Sequence, residues 1–310
     1  MTKSKIRIAT RSSPLALWQA NYVKRELEQI YPRLMIELVP LVTEGDRFLT
    51  KSLAEVGGKG LFVKELEEAI LENRADIAVH SIKDMPAQLP DSFCLAAVCE
   101  RTDPHDVLIL NKRYKMFGDL PKNAVVGTSS LRRQCQLKAF YPHLQITNLR
   151  GNIETRLRKL QEGQFDAIVL AVAGLKRLKI KNSASHLFST KELLPAVGQG
   201  AIGIECLAAN VRLLQQLKAL DHAPSRYCIT AERAVSYHLG GSCKMPLAAY
   251  AELNGETLTL QALIGHPDGK LLLRSKKSGF CEAAEALGKA VADDLLHRGA
   301  KKMIDYVNAK

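Results

Sequence analysis

The sequence is poor in aromatic residues and lacks the cysteine spacings that mark disulfide-rich or zinc-binding proteins. Only 5% of its 310 residues are Phe, Trp or Tyr, and its seven cysteines are scattered and never spaced as C-x-x-C. An odd number of scattered cysteines is typical of reduced thiols and argues against both a disulfide framework and a cysteine zinc site. We therefore expect a cytoplasmic protein without a metal site.

Long apolar segments are also missing. No apolar run approaches the roughly 18 residues that a membrane-spanning helix requires. The first residues include Lys3, Lys5, Arg7 and Arg11, which leave no apolar stretch of the signal-peptide type. We expect neither export nor a membrane partner.

Positive charge is abundant, since the formal net charge is +12 and the pI is about 9.4. Such a charge predicts an anionic partner, and nucleic acid is the first rival to an acidic small molecule. The sequence has no zinc-finger spacing, no basic tail and no aromatic-rich basic strand of the RNA-binding type. These absences favour an acidic small molecule, and we expect no nucleic acid partner.

A short apolar strand that runs into hydroxyl residues and then into a helix occurs twice. Residues 6–9 lead into Ser12, Ser13 and Pro14, and residues 124–127 lead into Ser129 and Ser130. Hydroxyl side chains cap helices, and the N–H groups of a first helical turn favour an anion. In the second copy, Arg132 and Arg133 oppose the helix dipole, so a negative group should lie nearby. An ordinary N-cap followed by a solvated basic face is the alternative.

Further strands predicted at residues 76–80, 145–149 and 167–172 also end in hydroxyl or cationic residues. In open α/β sheets, ligands bind beyond the carboxyl ends of the strands. The residues predicted at those ends are Arg11, Ser13, Ser81, Lys83, Ser129, Ser130, Arg132, Arg133, Arg150 and Arg177. Several guanidinium groups around one cleft predict a site for a polycarboxylate or polyphosphate.

Asp84 is an acid among these cations. Such a carboxylate should remain ionised and is well placed to contact a cationic group of the substrate. The alternative is that Asp84 only pairs with Lys83 or with a neighbouring arginine.

The order of patterns predicts two similar α/β lobes and a third region. We expect the first lobe at residues 1–100 and 201–218, the second at 106–194, and an α+β domain at 222–310, where Asn-Gly at 254–255 marks a hairpin. The glycine-containing link at 43–60 is either a lid, with Lys59 closing over an anion, or an ordinary surface loop.

The loop at residues 239–246 carries the one cysteine that is placed for chemistry. Cys243 lies in a glycine-rich stretch, and the adjacent Lys244 would favour its thiolate. The other cysteines fall on predicted helices and strands and are expected to be small core residues.

Six stretches together resemble the porphobilinogen deaminase family over almost the whole chain. They lie at residues 8–16, 57–62, 80–84, 127–133, 149–152 and 198–200. One departure lies in the cysteine loop, where family members usually have Glu at the place of Gly240 and often Gly at the place of Ser242.

The resemblance implies two periplasmic-binding-protein-like lobes and a smaller α+β C-terminal domain with an antiparallel sheet. It implies a transferase that deaminates porphobilinogen and joins four molecules head to tail into hydroxymethylbilane, in porphyrin and heme biosynthesis. The chain would grow on a dipyrromethane primer bound covalently through Cys243. A monomer is expected, and the product would pass to uroporphyrinogen III synthase.

The resemblance also assigns roles to residues. Asp84 is the implied catalytic residue, because it would hydrogen-bond pyrrole N–H groups and stabilise positive charge. The implied cofactor-binding residues are Cys243, Lys83, Asp84, Ser129, Arg132, Arg133, Arg150 and Gly200. The implied substrate-binding residues are Arg11, Ser13, Lys59, Arg150, Arg156, Arg177 and Gln199. The rival hypothesis, a two-lobed anion-binding protein without catalysis, is opposed by the Cys243 loop and the missing export signal.

Overall fold

The computed structural model describes residues 5–44, 63–181, 185–241 and 245–308. The chain divides into two compact units. Unit 1 contains Met1–Thr102 and Ala201–Arg226, and unit 2 contains Asp103–Gly200 and Tyr227–Lys310. Within the described ranges, no helix is both long and apolar enough to span a bilayer.

The described strands and helices follow in chain order. The strands are β1 (Lys5–Arg11), β2 (Met35–Leu41), β3 (Ile77–Ser81), β4 (Phe93–Val98), β5 (Asp106–Leu110), β6 (Val125–Gly127), β7 (Gln145–Thr147), β8 (Ala167–Ala171), β9 (Ser185–Leu187), β10 (Ile202–Leu207), β11 (Leu247–Asn254), β12 (Thr257–Gly265) and β13 (Leu272–Phe280). The helices are α1 (Pro14–Ile30), α2 (Lys64–Leu71), α3 (Leu131–Phe140), α4 (Ile153–Gln161), α5 (Val172–Arg177), α6 (Val211–Leu217), α7 (Ala223–His238), α8 (Ala284–His297) and α9 (Ala300–Asn308).

Unit 1 is built on a five-stranded sheet in the order β2-β1-β3-β10-β4. Strand β1 runs parallel to β2 and β3, whereas β10 is antiparallel to both β3 and β4. Helix α1 packs its apolar stripe, Ala20, Val23 and Leu27, against one face of this sheet. Strand β10 therefore lies inside the first sheet, although it comes about a hundred residues after β4 in the chain.

Unit 2 contains a sheet of the same design, in the order β7-β6-β8-β5-β9. Strand β6 is parallel to β7 and β8, and β5 is antiparallel to β8. A shared detail supports the likeness: Asp76 accepts a hydrogen bond from the Arg7 N–H at 2.7 Å, and Asp166 accepts one from the Val125 N–H at 2.7 Å. Each acid lies directly before a strand, β3 or β8, and joins it to the parallel neighbouring strand, β1 or β6.

The C-terminal part of unit 2 is an antiparallel three-stranded sheet, β11-β12-β13, covered by α8. Its core includes Leu258 and Leu260 from β12 and Val291 and Leu295 from α8. The hairpin between β11 and β12 turns at Gly255, whose φ of 59° suits glycine. The predicted fold class, two similar α/β lobes and a smaller α+β region with an antiparallel sheet, is confirmed by these three sheets. The exact domain limits stay a prediction.

Candidate functional site

A small pocket lies in unit 1 where β1 and β3 end. It has a volume of about 40 Å³, and its lining includes Arg11, Ser13, Gln19, His80, Ser81 and Asp84. The structure thus brings together three of the predicted site residues, Arg11, Ser13 and Asp84. Lys83 precedes Asp84 in the same turn and is half-buried.

Asp84 is held at the edge of this pocket by the backbone that follows β3. A single 3-10 turn, Ile82–Asp84, is closed by the Met85 N–H, which donates to the Ile82 carbonyl at 3.0 Å. Ile82 is buried and anchors the turn in the core. The side-chain amide of Gln19 donates to Ser81 Oγ at 2.7 Å. The short turn therefore places a half-buried carboxylate beside the cationic end of β1.

The N-terminus of α1 forms another part of the pocket. Ser13 Oγ accepts a hydrogen bond from the Ala16 N–H at 3.4 Å, and Pro14 is the first residue of the helix, as the sequence predicts. The dipole of this 17-residue helix is positive at this end. Together with Arg11, it makes the pocket favourable for a negatively charged group.

In unit 2, Arg132 and Arg133 bind a buried acid, Asp106. Their exposed fractions are 4% and 5%, and that of Asp106 is 0%. Arg132 Nη1 lies 2.7 Å from Asp106 Oδ2, and Arg133 Nη2 lies 2.7 Å from Asp106 Oδ1. Burial alone would raise the pKa of Asp106, but the two guanidinium groups hold this pKa well below its ordinary value. Within this hydrogen-bonded group, two positive charges therefore face one negative charge.

The segment that contains Gln199 and Gly200 is hydrogen-bonded to the same group of side chains around Asp106. Gln199 donates to the Pro104 carbonyl at 2.6 Å and to Asp106 Oδ1 at 3.0 Å. Arg177 Nη2 donates to the Gly200 carbonyl at 2.7 Å. Gly200 has a φ of 91°, a conformation that favours glycine. The predicted residues Arg177, Gln199 and Gly200 thus lie close together and hold one turn of backbone.

Ser129, Arg150 and Arg156 surround the carboxyl ends of β6 and β7. Ser129 Oγ donates to the Leu149 carbonyl at 2.7 Å, and Arg156 Nε donates to the Gly151 carbonyl at 2.7 Å. All three predicted site residues are half-buried and keep some exposed surface. Such side chains can contact a ligand while their positions stay fixed by the backbone.

The remaining predicted site residues lie outside the described part of the chain. Cys243 falls in residues 242–244, and Lys59 and most of the predicted lid fall in residues 45–62. The preceding Gly240 is described and ends α7: its φ is 63°, and the Gly241 N–H donates back to the Ser236 carbonyl at 2.6 Å. Glycine at position 240, where the family usually has Glu, therefore fits a left-handed helix cap.

Asp106 is the functional-site residue that sequence reasoning missed. The signal for it was indirect, because two arginines in the first turn of a helix predict a nearby negative group. The described residues contain no group of three or more His, Cys, Asp or Glu side chains arranged to hold a metal ion.

Comparison with solved structures finds distant likenesses. The chain is similar to the VFT2 domain of BvgS from Bordetella pertussis, with 15% identity over 70% of this chain and 86% of that one and a TM-score of 0.44. It is also similar to the methionine binding protein MetQ, with 13% identity over 71% and 89% of the two chains and a TM-score of 0.45. A third is the aliphatic sulphonate binding protein SsuA from Escherichia coli, with 13% identity, coverage of 76% and 75%, and a TM-score of 0.42.

Two family models match the sequence itself. Residues 6–215 match the model described as porphobilinogen deaminase, dipyromethane cofactor binding domain. Residues 226–297 match the model described as porphobilinogen deaminase, C-terminal domain. The two matches cover most of the chain in the expected order, and the chain therefore belongs to the porphobilinogen deaminase family.

Proposed function

We propose how the described residues carry out the activity of this family, which polymerises porphobilinogen into hydroxymethylbilane on a dipyrromethane cofactor in tetrapyrrole biosynthesis. The specific enzyme is hydroxymethylbilane synthase, which adds four porphobilinogen units. The observation that carries the assignment of the site is the pocket in which Asp84 lies beside Arg11 and Ser13.

Asp84 is the catalytic residue in this proposal. Its carboxylate accepts hydrogen bonds from pyrrole N–H groups and stabilises the positive charge that develops as ammonia leaves porphobilinogen. The rigid turn after β3 supports this role, because a carboxylate stabilises a transition state best when it needs no rearrangement.

Cations and hydroxyls hold the carboxylates of the substrate and cofactor. The proposed substrate-binding residues are Arg11, Ser13, Lys59, Arg150, Arg156, Arg177 and Gln199, and the proposed cofactor-binding residues are Lys83, Asp84, Ser129, Arg132, Arg133, Arg150, Gly200 and Cys243. The excess positive charge of the Asp106 group fits a ligand that is rich in carboxylates. When bound, dipyrromethane supplies the pyrrole ring from which the product chain is extended.

The role of Arg132 and Arg133 in cofactor binding stays a prediction, because both side chains are buried against Asp106. Their proposed function is to present positive charge and to fix the backbone at Leu194 and Val169, whose carbonyls they bind. The half-buried Lys83, Ser129 and Arg150 are better placed for direct contact.

The proposal also covers the compartment, the oligomeric state and the enzyme that takes the product. We infer a cytoplasmic monomer whose product passes to uroporphyrinogen III synthase. Four of the described cysteines, Cys94, Cys135, Cys206 and Cys281, are free thiols, which supports a reducing compartment.

Attachment of the cofactor at Cys243 is tested by intact-mass spectrometry. The purified protein should be heavier than its sequence by two deaminated porphobilinogen units. Cys243→Ser should lack this mass, because a hydroxyl is a much poorer nucleophile than a thiolate at neutral pH. Cys94→Ser is the matched control, since Cys94 is a half-buried thiol on β4, and this variant should keep the added mass.

An added mass that survives in Cys243→Ser would contradict the attachment site. Incubation with porphobilinogen separately tests the activity. A protein that binds porphobilinogen but releases no ammonia would be an anion-binding protein instead of a transferase.

A further inference from the structure

Three titratable side chains that have no role in the proposed reaction lie together in unit 1. They are Glu67 of α2, His80 of β3 and Glu205 of β10. In the antiparallel pair of β3 and β10, His80 is opposite Gly203 and Glu205 is opposite Ala78, so both side chains lie on the same face of the sheet. Helix α2 packs on this face, where its Leu66 joins Ala78 in one apolar core.

Glu205 and His80 are close and almost completely buried. His80 Nε2 lies 2.9 Å from Glu205 Oε2, and the side chains are 5% and 0% exposed. Nevertheless, neither carboxylate oxygen of Glu205 makes a well-oriented hydrogen bond among the described residues, and nor does His80 Nε2. A buried carboxylate in this state requires a proton or a cation next to it.

Glu67 supplies the second carboxyl group of the cluster. Its burial, and then the charge and hydrogen bond of Glu205, raise the pKa of Glu67 to about 7, with a smaller contribution from Glu68. A protonated Glu67 can donate its O–H to Glu205, which provides the donor that the buried carboxylate lacks. With a pKa of about 7, Glu67 gains and loses this proton near neutral pH.

The cluster borders the pocket that contains Asp84. His80 belongs to both, because it lines the pocket together with Arg11 and Asp84. The charged groups around the cluster are Glu68 on α2, Arg11 at the end of β1 and Asp84 beyond β3, and Cys206 on β10 also feels the charge of Glu205. A change in the charge of the cluster is therefore felt inside the pocket.

We propose that Glu67, Glu205 and His80 form a proton-holding cluster whose charge controls how tightly the adjacent pocket binds the carboxylates of porphobilinogen. When Glu67 releases its proton to bulk water, two carboxylates face each other and one negative charge is added behind the pocket. This charge opposes the attraction of Arg11 for an anionic substrate. The inference rests on the proposed role of this pocket in substrate binding.

The size of the effect follows from Coulomb's law. One unit charge about 10 Å from a carboxylate, at an effective dielectric constant of about 25 to 50, changes binding on the order of threefold to tenfold. Glu67, Glu205 and His80 act here as positioning and charge-setting residues, and none of them needs to touch the substrate.

The test compares Glu67→Gln with the wild type between pH 5.5 and 8.5. The amide keeps the shape and the donor of the protonated carboxyl group, so the variant should fold. The ratio of the wild-type KM to the variant KM for porphobilinogen should be near one at pH 6 and should rise on the order of threefold to tenfold by pH 8. The ratio of the two kcat values should stay constant over this pH range. Glu72→Gln is the matched control, because Glu72 is the C-cap residue of α2, its side chain is 61% exposed and its charge does not act on Glu67; it should behave like the wild type.

Thermal unfolding of the same variants gives a readout that is independent of activity. The pKa of Glu67 is raised from 4.5 to about 7 in the folded protein, so between these pH values the folded state holds a proton that the unfolded state has released. Stability of the wild type therefore falls as pH rises through this window. The Tm of Glu67→Gln should match the wild type near pH 4.5 and exceed it above pH 7.

Two results would overturn the inference at different steps. A Tm difference that does not change with pH would show that the cluster holds no proton. A Tm difference that does change, together with a constant KM ratio, would show that the cluster does not act on the pocket. In either case, release of ammonia from porphobilinogen would still establish the enzymatic function.

Discussion

Among single residues, Asp106 has the most demanding environment in the described part of unit 2. A carboxylate without solvent contact is costly to bury, and two guanidinium groups offset that cost through charge and hydrogen bonds. Glu205 in unit 1 is buried to the same degree, but its neighbours are an imidazole and a second carboxyl group. The two buried carboxylates therefore have different compensating neighbours.

Arg133→Leu should destabilise the protein by about 3 to 5 kcal/mol, because it removes half of the charge that compensates Asp106. Urea denaturation measures this free energy of unfolding. Arg158→Leu is the control: Arg158 pairs with Glu162 on the surface of α4, with its side chain 63% exposed, and its loss should change stability by less than about 0.5 kcal/mol. Equal effects in the two variants would mean that the Asp106 pair contributes no more than a surface pair.

The sequence predicts that a negative group lies near Arg132 and Arg133, but it cannot name that group. Asp106 is 26 residues upstream of Arg132 and reaches it only because β5 enters the sheet beside β8. The cluster of Glu67, His80 and Glu205 is hidden for the same reason, since its members come from three elements that are distant in sequence. Contacts between residues so far apart in the sequence can be identified only from the tertiary structure.

At the scale of helices and strands, Gly288 of α8 lies in close contact with α7. A Cβ built on Gly288 would lie 2.4 Å from the Ala231 carbonyl oxygen and 2.5 Å from Ala234 Cβ, both on α7. The two helices therefore approach each other at a point where only glycine fits.

Gly288→Ala should therefore destabilise the protein by about 1 to 3 kcal/mol, although alanine is the better helix former by about 1 kcal/mol. The overpacking forces α8 away from α7, and this cost exceeds the gain in helix propensity. Gly118→Ala, where an added Cβ meets no atom within 4 Å, is the control and should stay near wild type. Thermal unfolding decides between the outcomes, and a higher Tm for Gly288→Ala would contradict the close approach.

Elements with strong local signals are predicted well from the sequence. Pro14 begins α1, the Asn-Gly turn joins β11 to β12, and β8 begins at Ala167 as expected. Strand β5 is not predicted from the sequence. It is continuously buried, and its place is set by its partner strands β8 and β9.

On the scale of the whole molecule, the net charge of +12 acts on every approaching carboxylate. Raising NaCl from about 0.05 to 0.5 M shortens the Debye length from roughly 14 Å to 4 Å, so the attraction of porphobilinogen should weaken. We expect KM to rise severalfold with little change in kcat. Sucrose at matched osmolality is the control. A KM that does not change with the NaCl concentration would indicate that only short-range contacts bind the substrate.

The interior position of β10 sets an order of events during synthesis. β4 joins the first sheet only through β10, and about a hundred residues separate the end of β4 from the start of β10. At a translation rate of about 5 to 20 residues per second, the ribosome needs roughly 5 to 20 seconds to make that stretch. The sheet in unit 2 uses only strands β5 to β9. All of its strands are therefore synthesised before β10, which the N-terminal sheet needs to bind β4. The part of the enzyme that is synthesised first is therefore not the part that finishes folding first.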